Sequence, residues 1–230
     1  MEYDCPDLTK EALGDDFQRL FIDVLLKHVG EIMGNSDNAK PVPPLRLLLL
    51  GTAGTGKTQA VKTLLQEIKR TLRRHAYDGN FVRVAAPTGC AAFNIRFGAT
   101  TLHRLFQILR PNHFQNLRED SMELLRFQEM LRHTRLVIID EISMVGKQMM
   151  GKISARCHQA KTDADNPNGD RLGGLSFVAV GDPAQCPPIM DTALYVPGLH
   201  KETSTFPDAP RVKFCNSGHM VYESFEHVII

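Results

Sequence analysis

The chain has 230 residues, of which 43% are hydrophobic and 23% charged, and its formal net charge is +1. This composition suits a folded domain and excludes a disordered or fibrous protein, while the balanced charge gives no overall electrostatic case for a nucleic-acid partner. The five cysteines lack metal-ligand spacing, so we expect reduced thiols. The acidic N-terminus has no secretion signal, so we expect an intracellular protein. No apolar run is long enough to span a membrane, so we expect no membrane partner.

Apolar spacing and turn residues predict the following elements in the first half of the chain. In order, we expect a helix at 11–34, a polar loop at 35–44, a buried strand at 45–50, a Gly-rich turn, a helix ending near 75, a break at 77–80 and a strand at 81–86. Residues 1–44 are therefore interpreted as an N-terminal helix and linker, and residues 45–230 as one larger domain.

The second half of the chain continues the alternation of helices and strands. In order, we expect helices at 100–109 and 121–132 with a break at 111–112 between them, a strand at 135–139, a helix at 146–160, a loop at 161–174, a strand at 175–180, weak signals at 190–210, a helix at 217–225 and a strand at 227–230. Such alternation predicts an α/β fold with a mainly parallel sheet and helices on both faces. In such sheets, ligands bind at the carboxyl ends of the strands.

A phosphate-binding loop is the most specific motif in the sequence. Its residues are Gly51, Thr52, Ala53, Gly54, Thr55, Gly56, Lys57 and Thr58, which match the pattern G-x-x-x-x-G-K-[ST] in full. The motif lies between a predicted strand and a predicted helix, which is the context it requires. We expect backbone N–H groups of the loop to bind the phosphates of ATP, Lys57 to bridge the β- and γ-phosphates, and Thr58 to ligate Mg²⁺.

Polar residues also follow two later strands. Asp140 and Glu141 follow the strand at 135–139, and there Asp140 is expected to hold Mg²⁺ and Glu141 to act as general base on the attacking water. The sequence Gly-Asp-Pro-Ala-Gln ends the strand at 175–180, and Gln185 within it can sense the γ-phosphate or orient the water. Taken alone, each segment could also be an ordinary solvated turn.

Small residues at 86–92 follow the second strand and favour close approach of a backbone phosphate to a helix N-terminus. His103 comes shortly after them and, taken alone, is more often a structural histidine. Residues 60–118 contain ten basic residues and two acidic ones. This excess indicates either a surface that faces a polyanion or simply a solvated helix face, and both interpretations stay open.

Together these motifs resemble a known family. Their order and content are similar to the first motor domain of a superfamily 1 DNA helicase of the PIF-type and RecD-like branch, and the helicase part of Helitron-type transposons is also similar. The strings GTAGTGKT, APTGCAA, TTLHRLF, IDEISM and GDPAQCPPI carry the resemblance, which covers residues 11–230 in the family's order. The resemblance implies a RecA-like P-loop NTPase fold.

The resemblance also implies roles for individual residues. Lys57, Glu141 and Gln185 would be catalytic, with Gln185 coupling the γ-phosphate to DNA, and Thr58 and Asp140 would bind the metal. Gln18, on the upstream helix, would contact adenine, while Thr88, Cys90, Ala91 and His103 would lie on the track of single-stranded DNA. The segment after Gly181 departs from the family pattern, because Pro183 stands where an aromatic residue is usual and Cys186 where a leucine is usual. This departure puts a base-stacking role of that loop in doubt.

The resemblance leads us to expect an ATP-dependent 5′-to-3′ DNA helicase, in which this chain is a fragment that lacks the second RecA-like domain and its arginine finger. Two alternatives stay open: another P-loop ATPase, such as a loader or remodeller, and a nucleotide-binding module without turnover. DNA repair and recombination, telomere maintenance and transposition all remain possible processes, as do nucleus and mitochondrion as compartments.

Overall fold

A computed structural model describes residues 8–34, 42–75, 80–109, 114–161, 166, 168–199 and 210–230. Most of the predicted linker at 35–44, most of the break at 77–80 and the break at 111–112 lie outside the described residues, as do Cys5 and parts of the loop at 161–174 and of the segment at 190–210. The four described cysteines are free thiols, as expected. None of the described helices is both long enough and apolar enough to cross a membrane.

The described elements alternate between helices and strands along the chain. They are α1 (Asp16–Gly34), β1 (Arg46–Leu50), α2 (Lys57–Arg74), β2 (Val82–Ala86), α3 (Gly89–Ile95), β3 (Thr100–Thr101), α4 (Leu102–Leu105), α5 (Met122–Leu131), β4 (Leu136–Ile139), α6 (Lys147–Ala160), β5 (Ser176–Gly181), α7 (Pro210–Glu223) and β6 (His227–Ile229). The structure also contains short 3-10 turns at Lys10–Ala12 and Ile142–Met144.

The six strands form one sheet in the order β3-β2-β4-β5-β1-β6, and every described pairing is parallel. Three of its central strands, β1, β4 and β5, are buried along nearly their whole length. They are apolar on both faces because helices cover both sides of the sheet. The predicted α/β fold with a parallel sheet is therefore confirmed.

Side chains of each central strand point alternately to the two faces, and each face has its own apolar core. In β4, Leu136 and Ile138 pack with α1, α2 and α3 on one face. Val137 and Ile139 pack with α4, α5, α6 and α7 on the other face. The strand thus separates two cores, and its carboxyl end is left at the edge of the sheet where ligands bind in folds of this kind.

Helices α6 and α7 cross at two glycines. A Cβ added at Gly151 would lie 2.0 Å from the carbonyl oxygen of Phe214, and one added at Gly218 would lie 1.9 Å from the carbonyl oxygen of Lys147. No side chain fits between backbones that approach this closely. The crossing therefore depends on glycine at both positions and fixes α7 against the sheet.

Two predicted helices were wrong in their extent. The helix predicted at 11–34 begins at Asp16, because Asp15 precedes it and its carboxylate accepts the N–H of Phe17 at 2.9 Å. The helix predicted at 100–109 is a two-residue strand followed by the single turn α4. It stops there because Gln107 has a φ of +50°, which no α-helix continues.

The last predicted helix also differs. The helix expected at 217–225 spans Pro210–Glu223, and so begins seven residues earlier. Its first turns carry no strong apolar pattern, and contact with α6 holds them. The remaining predicted helices and strands lie within one or two residues of their predicted bounds.

Candidate nucleotide-binding site

Residues that follow β1, β4 and β5 meet at one cavity. These strands are neighbours in the order β4-β5-β1, so their carboxyl ends lie side by side. The cavity has a volume of about 350 Å³ and is lined by Ala53, Gly54, Gly56, Lys57, Thr58, Asp140, Glu141, Gly181 and Gln185. The structure thus brings together the three motifs that the sequence singled out separately.

The loop between β1 and α2 is shaped by its glycines. Gly54 and Gly56 have φ values of +82° and +77°, a left-handed conformation that glycine adopts without steric cost. Thr55 closes the turn, because its hydroxyl donates to the carbonyl oxygen of Thr52 at 2.9 Å. The loop is joined to the neighbouring strand as well, since the N–H of Gly51 donates to the carbonyl oxygen of Gly181 at 3.2 Å. This backbone presents the start of α2 to the cavity.

The ammonium group of Lys57 lies across the mouth of the loop. Its Nζ donates to the carbonyl oxygens of Gly51 at 2.6 Å and Thr52 at 2.8 Å. A cation in this position, next to the N-terminus of α2, makes the cavity favourable for phosphate oxygens. The binding of the β- and γ-phosphates by Lys57 stays a prediction.

Gln18 reaches the same loop from α1. Its amide Nε2 donates to the carbonyl oxygen of Thr55 at 2.8 Å. A Cβ at Gly56 would lie 2.6 Å from that nitrogen, so glycine at this position also makes room for the amide. The described contact of Gln18 is with the phosphate-binding loop, and its contact with adenine stays a prediction.

The acidic pair lies at the end of β4. Asp140 is 5% exposed, and burial raises the pKa of its carboxyl to about 6, while the hydrogen bond from the N–H of Glu141 at 2.9 Å opposes the rise. Glu141 has a φ of +55°, a conformation that costs a non-glycine residue about 1–3 kcal/mol. This strained turn directs the backbone away from the strand immediately after Asp140, and Glu141 lines the cavity.

The oxygen atoms around Asp140 suit a magnesium ion. Asp140 and Thr58 line the same cavity and supply carboxylate and hydroxyl oxygens, the hard ligands that Mg²⁺ prefers. Among the described residues, no group of three or more His, Cys, Asp or Glu side chains could hold a metal by itself. These two residues therefore fit an ion that completes its coordination with phosphate oxygens and water.

Gln185 reaches the cavity through a tight turn. The carboxylate of Asp182 accepts the N–H of Ala184 at 2.9 Å, and the N–H of Gln185 donates to the carbonyl oxygen of Asp182 at 3.0 Å. Gly181 also lines the cavity, and a Cβ there would lie 3.0 Å from the nitrogen of Ile142. Gly181 is therefore a site residue that the motifs did not single out, although a glycine and an aspartate at a strand end indicate such a turn.

The residues predicted to contact DNA do not line this cavity. Thr88 is the N-cap of α3, and its hydroxyl accepts the N–H of Ala91 at 3.2 Å, while Cys90 is exposed. His103 lies on α4, and burial, followed by the charge of Lys152, lowers its pKa. Since Ala86 pairs with Thr101, the starts of α3 and α4 share the outer edge of the sheet. Their contact with DNA stays a prediction.

Comparison with known proteins identifies the family of this arrangement. A family model described as PIF1-like helicase matches residues 32–199. The chain is 35% identical over 149 residues to the ATP-dependent DNA helicase PIF1 of Candida albicans, an alignment that covers 63% of this chain and 15% of that protein. It is 30% identical over 142 residues to the ATP-dependent DNA helicase RRM3 of Saccharomyces cerevisiae, which covers 60% of this chain and 18% of that protein. The chain thus spans less than a fifth of these curated relatives.

A solved structure shows the same fold. It is the crystal structure of a Pif1 helicase from Bacteroides in complex with ADP-AlF3 and single-stranded DNA. The chain matches it with a TM-score of 0.54 and 25% identity, over 78% of this chain and 34% of that one. The RecA-like character of the sheet is supported by this likeness as well as by the strand order.

Proposed function

This chain belongs to the PIF1-like helicase family, and we propose that it is the first, ATP-binding motor domain of an ATP-dependent DNA helicase. One observation carries the proposal: Lys57, Asp140 and Gln185, from three different motifs, line a single cavity at the carboxyl edge of the sheet. This is the arrangement that phosphoryl transfer requires, because its catalysis depends on positioning and on electrostatic stabilisation.

We assign different roles to the functional groups at the cavity. The loop N–H groups and Lys57 would bind the phosphates of ATP, and Thr58 and Asp140 would hold Mg²⁺, which when bound would supply positive charge toward the phosphate oxygens. Glu141 accepts the proton of the attacking water, and Gln185 orients that water or senses the γ-phosphate. Gln18 supports the loop through Thr55 and, we propose, also contacts adenine.

The partner of the motor is proposed to be single-stranded DNA, which the related Bacteroides helicase binds in its crystal structure. Thr88, Cys90, Ala91 and His103 would lie on this track, and movement in the 5′-to-3′ direction rests on the family resemblance. We further propose a second RecA-like domain that supplies an arginine to the ATP site, since the relatives are several times longer than the matched region. We also propose genome maintenance as the process and the nucleus or mitochondrion as the compartment, both of which rest on the family resemblance.

The proposal is tested by ATP hydrolysis with and without oligothymidine, in the 230-residue chain and in a chain that also contains the second RecA-like domain. In the longer chain, DNA should stimulate hydrolysis, Lys57→Ala should abolish it, and Glu141→Gln should lower kcat by about 100-fold or more while ATP still binds. Lys213→Ala, on α7 and away from the cavity, is the matched control and should leave hydrolysis unchanged. Full DNA-stimulated hydrolysis by the 230-residue chain alone would contradict the two-domain proposal.

A further inference from the structure

Helix α3 has one buried face and one face that carries an exposed aromatic ring. Ala92 and Ile95 are buried in the core against α2 and the sheet. Phe93 points the other way and is 75% exposed, and it lies one turn after Cys90, which is also exposed. A phenylalanine on the surface gives up the free energy that its burial would contribute, about 1.5–3 kcal/mol.

The backbone after α3 keeps Phe93 and the next phenylalanine apart. Arg96, Phe97 and Gly98 have φ values of +64°, +48° and +71°, three successive residues with positive φ. This turn folds Phe97 back against the core, while Phe93 stays in solvent. Positive φ values at residues other than glycine are uncommon and costly, so the turn fixes the end of α3 and the orientation of its outer face.

The stretch of sequence that contains Phe93 is strongly basic. Among the described residues between Lys57 and Leu109 there are nine lysines and arginines, and Glu67 is the only acidic residue. The guanidinium of Arg70 lies 2.6 Å from a carboxylate oxygen of Glu67, and this ion pair neutralises the charge of Glu67. Arg96 at the end of α3 and Arg104 on α4 are both exposed. These two arginines lie on the elements that pack against the edge strand β3, as Phe93 does, so this edge of the sheet carries positive charge that suits a polyanion.

We propose that Phe93 stacks on a base of single-stranded DNA while the exposed side chains of Arg96 and Arg104 contact the DNA backbone. The proposal rests on the proposed function and adds to it a base-binding residue that none of the motifs contains. An exposed ring beside positive charge is the combination that binds single strands without sequence preference, because every base presents a π-face. The site lies at the edge strand β3 and so is open to a long, flexible ligand.

The chain contains no tryptophan, so Phe93→Trp places a single fluorescent reporter at the site. Oligothymidine of about 15 nucleotides should quench its emission by stacking, whereas an abasic oligonucleotide of equal length should bind with little quenching. Leu125→Trp provides the matched control, because Leu125 is 52% exposed on α5, which packs on the other core. Its emission should not change with either oligonucleotide.

Binding is measured in parallel by anisotropy of labelled oligonucleotides at low salt. Phe93→Leu keeps an apolar side chain but removes the aromatic ring, and should weaken oligothymidine binding by about 10-fold while changing abasic binding less than about 2-fold. If oligothymidine binds but neither quenches Phe93→Trp nor distinguishes Phe93→Leu from the wild type, the stacking role is wrong and the proposed function stands. If neither the 230-residue chain nor the chain that also contains the second RecA-like domain binds either oligonucleotide, both the stacking role and the proposed DNA partner are wrong.

Discussion

Replacing Asp191 with glycine should destabilise the chain, because Asp191 caps a helix that has no cap of its own. Helix α6 begins after Gly146, which has no side chain to accept the first N–H groups. The carboxylate of Asp191 accepts them instead: it binds the N–H of Gln148 at 3.1 Å and that of Met149 at 3.1 Å. It also accepts the N–H of Thr192 at 2.8 Å.

The size of the effect follows from these contacts. A hydrogen bond to a charged group contributes about 1.5–3 kcal/mol, and loss of an N-cap costs about 0.5–2 kcal/mol. The three bonds share one partly buried carboxylate, and water can reach the released N–H groups, so the contributions do not add in full. We expect Asp191→Gly to cost about 2–3 kcal/mol, which lowers the Tm of a chain of this length by about 4–12 °C.

A swap of the cap provides the decisive assay. Gly146 has φ −91° and ψ 168°, the extended conformation of an N-cap residue, so the backbone accepts a serine. Gly146→Ser alone should destabilise, because its Cβ would lie 2.2 Å from Cγ of Asp191. In the double variant Gly146→Ser, Asp191→Gly the collision disappears and the new hydroxyl caps α6. The free energies of unfolding in urea of the wild type, the two single variants and the double variant give the coupling energy between positions 146 and 191.

The double variant should recover at least half of the stability that Asp191→Gly loses. If Gly146→Ser is neutral, or if the two single losses simply add in the double variant, Asp191 is not the cap of α6 and the reasoning is refuted. Asp191→Asn offers an intermediate case, since its amide keeps one acceptor oxygen, and it should lose about 1 kcal/mol.

Two further predictions concern packing and pH. Gly151→Ala should lower the free energy of unfolding in urea by about 2–3 kcal/mol, because its Cβ would lie 2.0 Å from a backbone oxygen of α7. The control Gly30→Ala lies in open space on α1 and should raise the free energy of unfolding by about 0.5–1 kcal/mol. Equal effects of the two variants would contradict the close crossing of α6 and α7. Burial lowers the pKa of His28 below its ordinary value of 6.5, and its Nε2 lies 2.7 Å from the hydroxyl of Ser176. The unfolded chain then binds a proton more readily than the folded one, so the stability that the neutral ring provides is fully present above pH 6.5 and is lost as pH falls from there toward the folded pKa. Thermal unfolding should show this loss in the wild type and a smaller one in His28→Gln; identical pH profiles would show that His28 does not cause it.

Local patterns predicted most of the fold. Strands β1, β4 and β5 are continuous apolar runs because both of their faces are covered, and the turn after β1 needs glycine because of its positive φ values. The elements that the sequence placed wrongly depend on distant partners. Strand β3 exists because Thr100 and Thr101 pair with Ala85 and Ala86, and a two-residue strand has no periodicity that a sequence can reveal.

The same distinction holds for the site. The sequence by itself determined which residues can bind phosphate and magnesium, because the chemistry of Lys57, Thr58 and Asp140 is fixed by their type and by the strand that each follows. Only the tertiary structure decided that Gln18 supports the loop from 37 residues away, and that Asp191 caps a helix 43 residues before it. It alone also decided that Phe93 is exposed while Ala92 and Ile95 on the same helix are buried, since burial depends on which elements pack beside a helix and not on the helix itself.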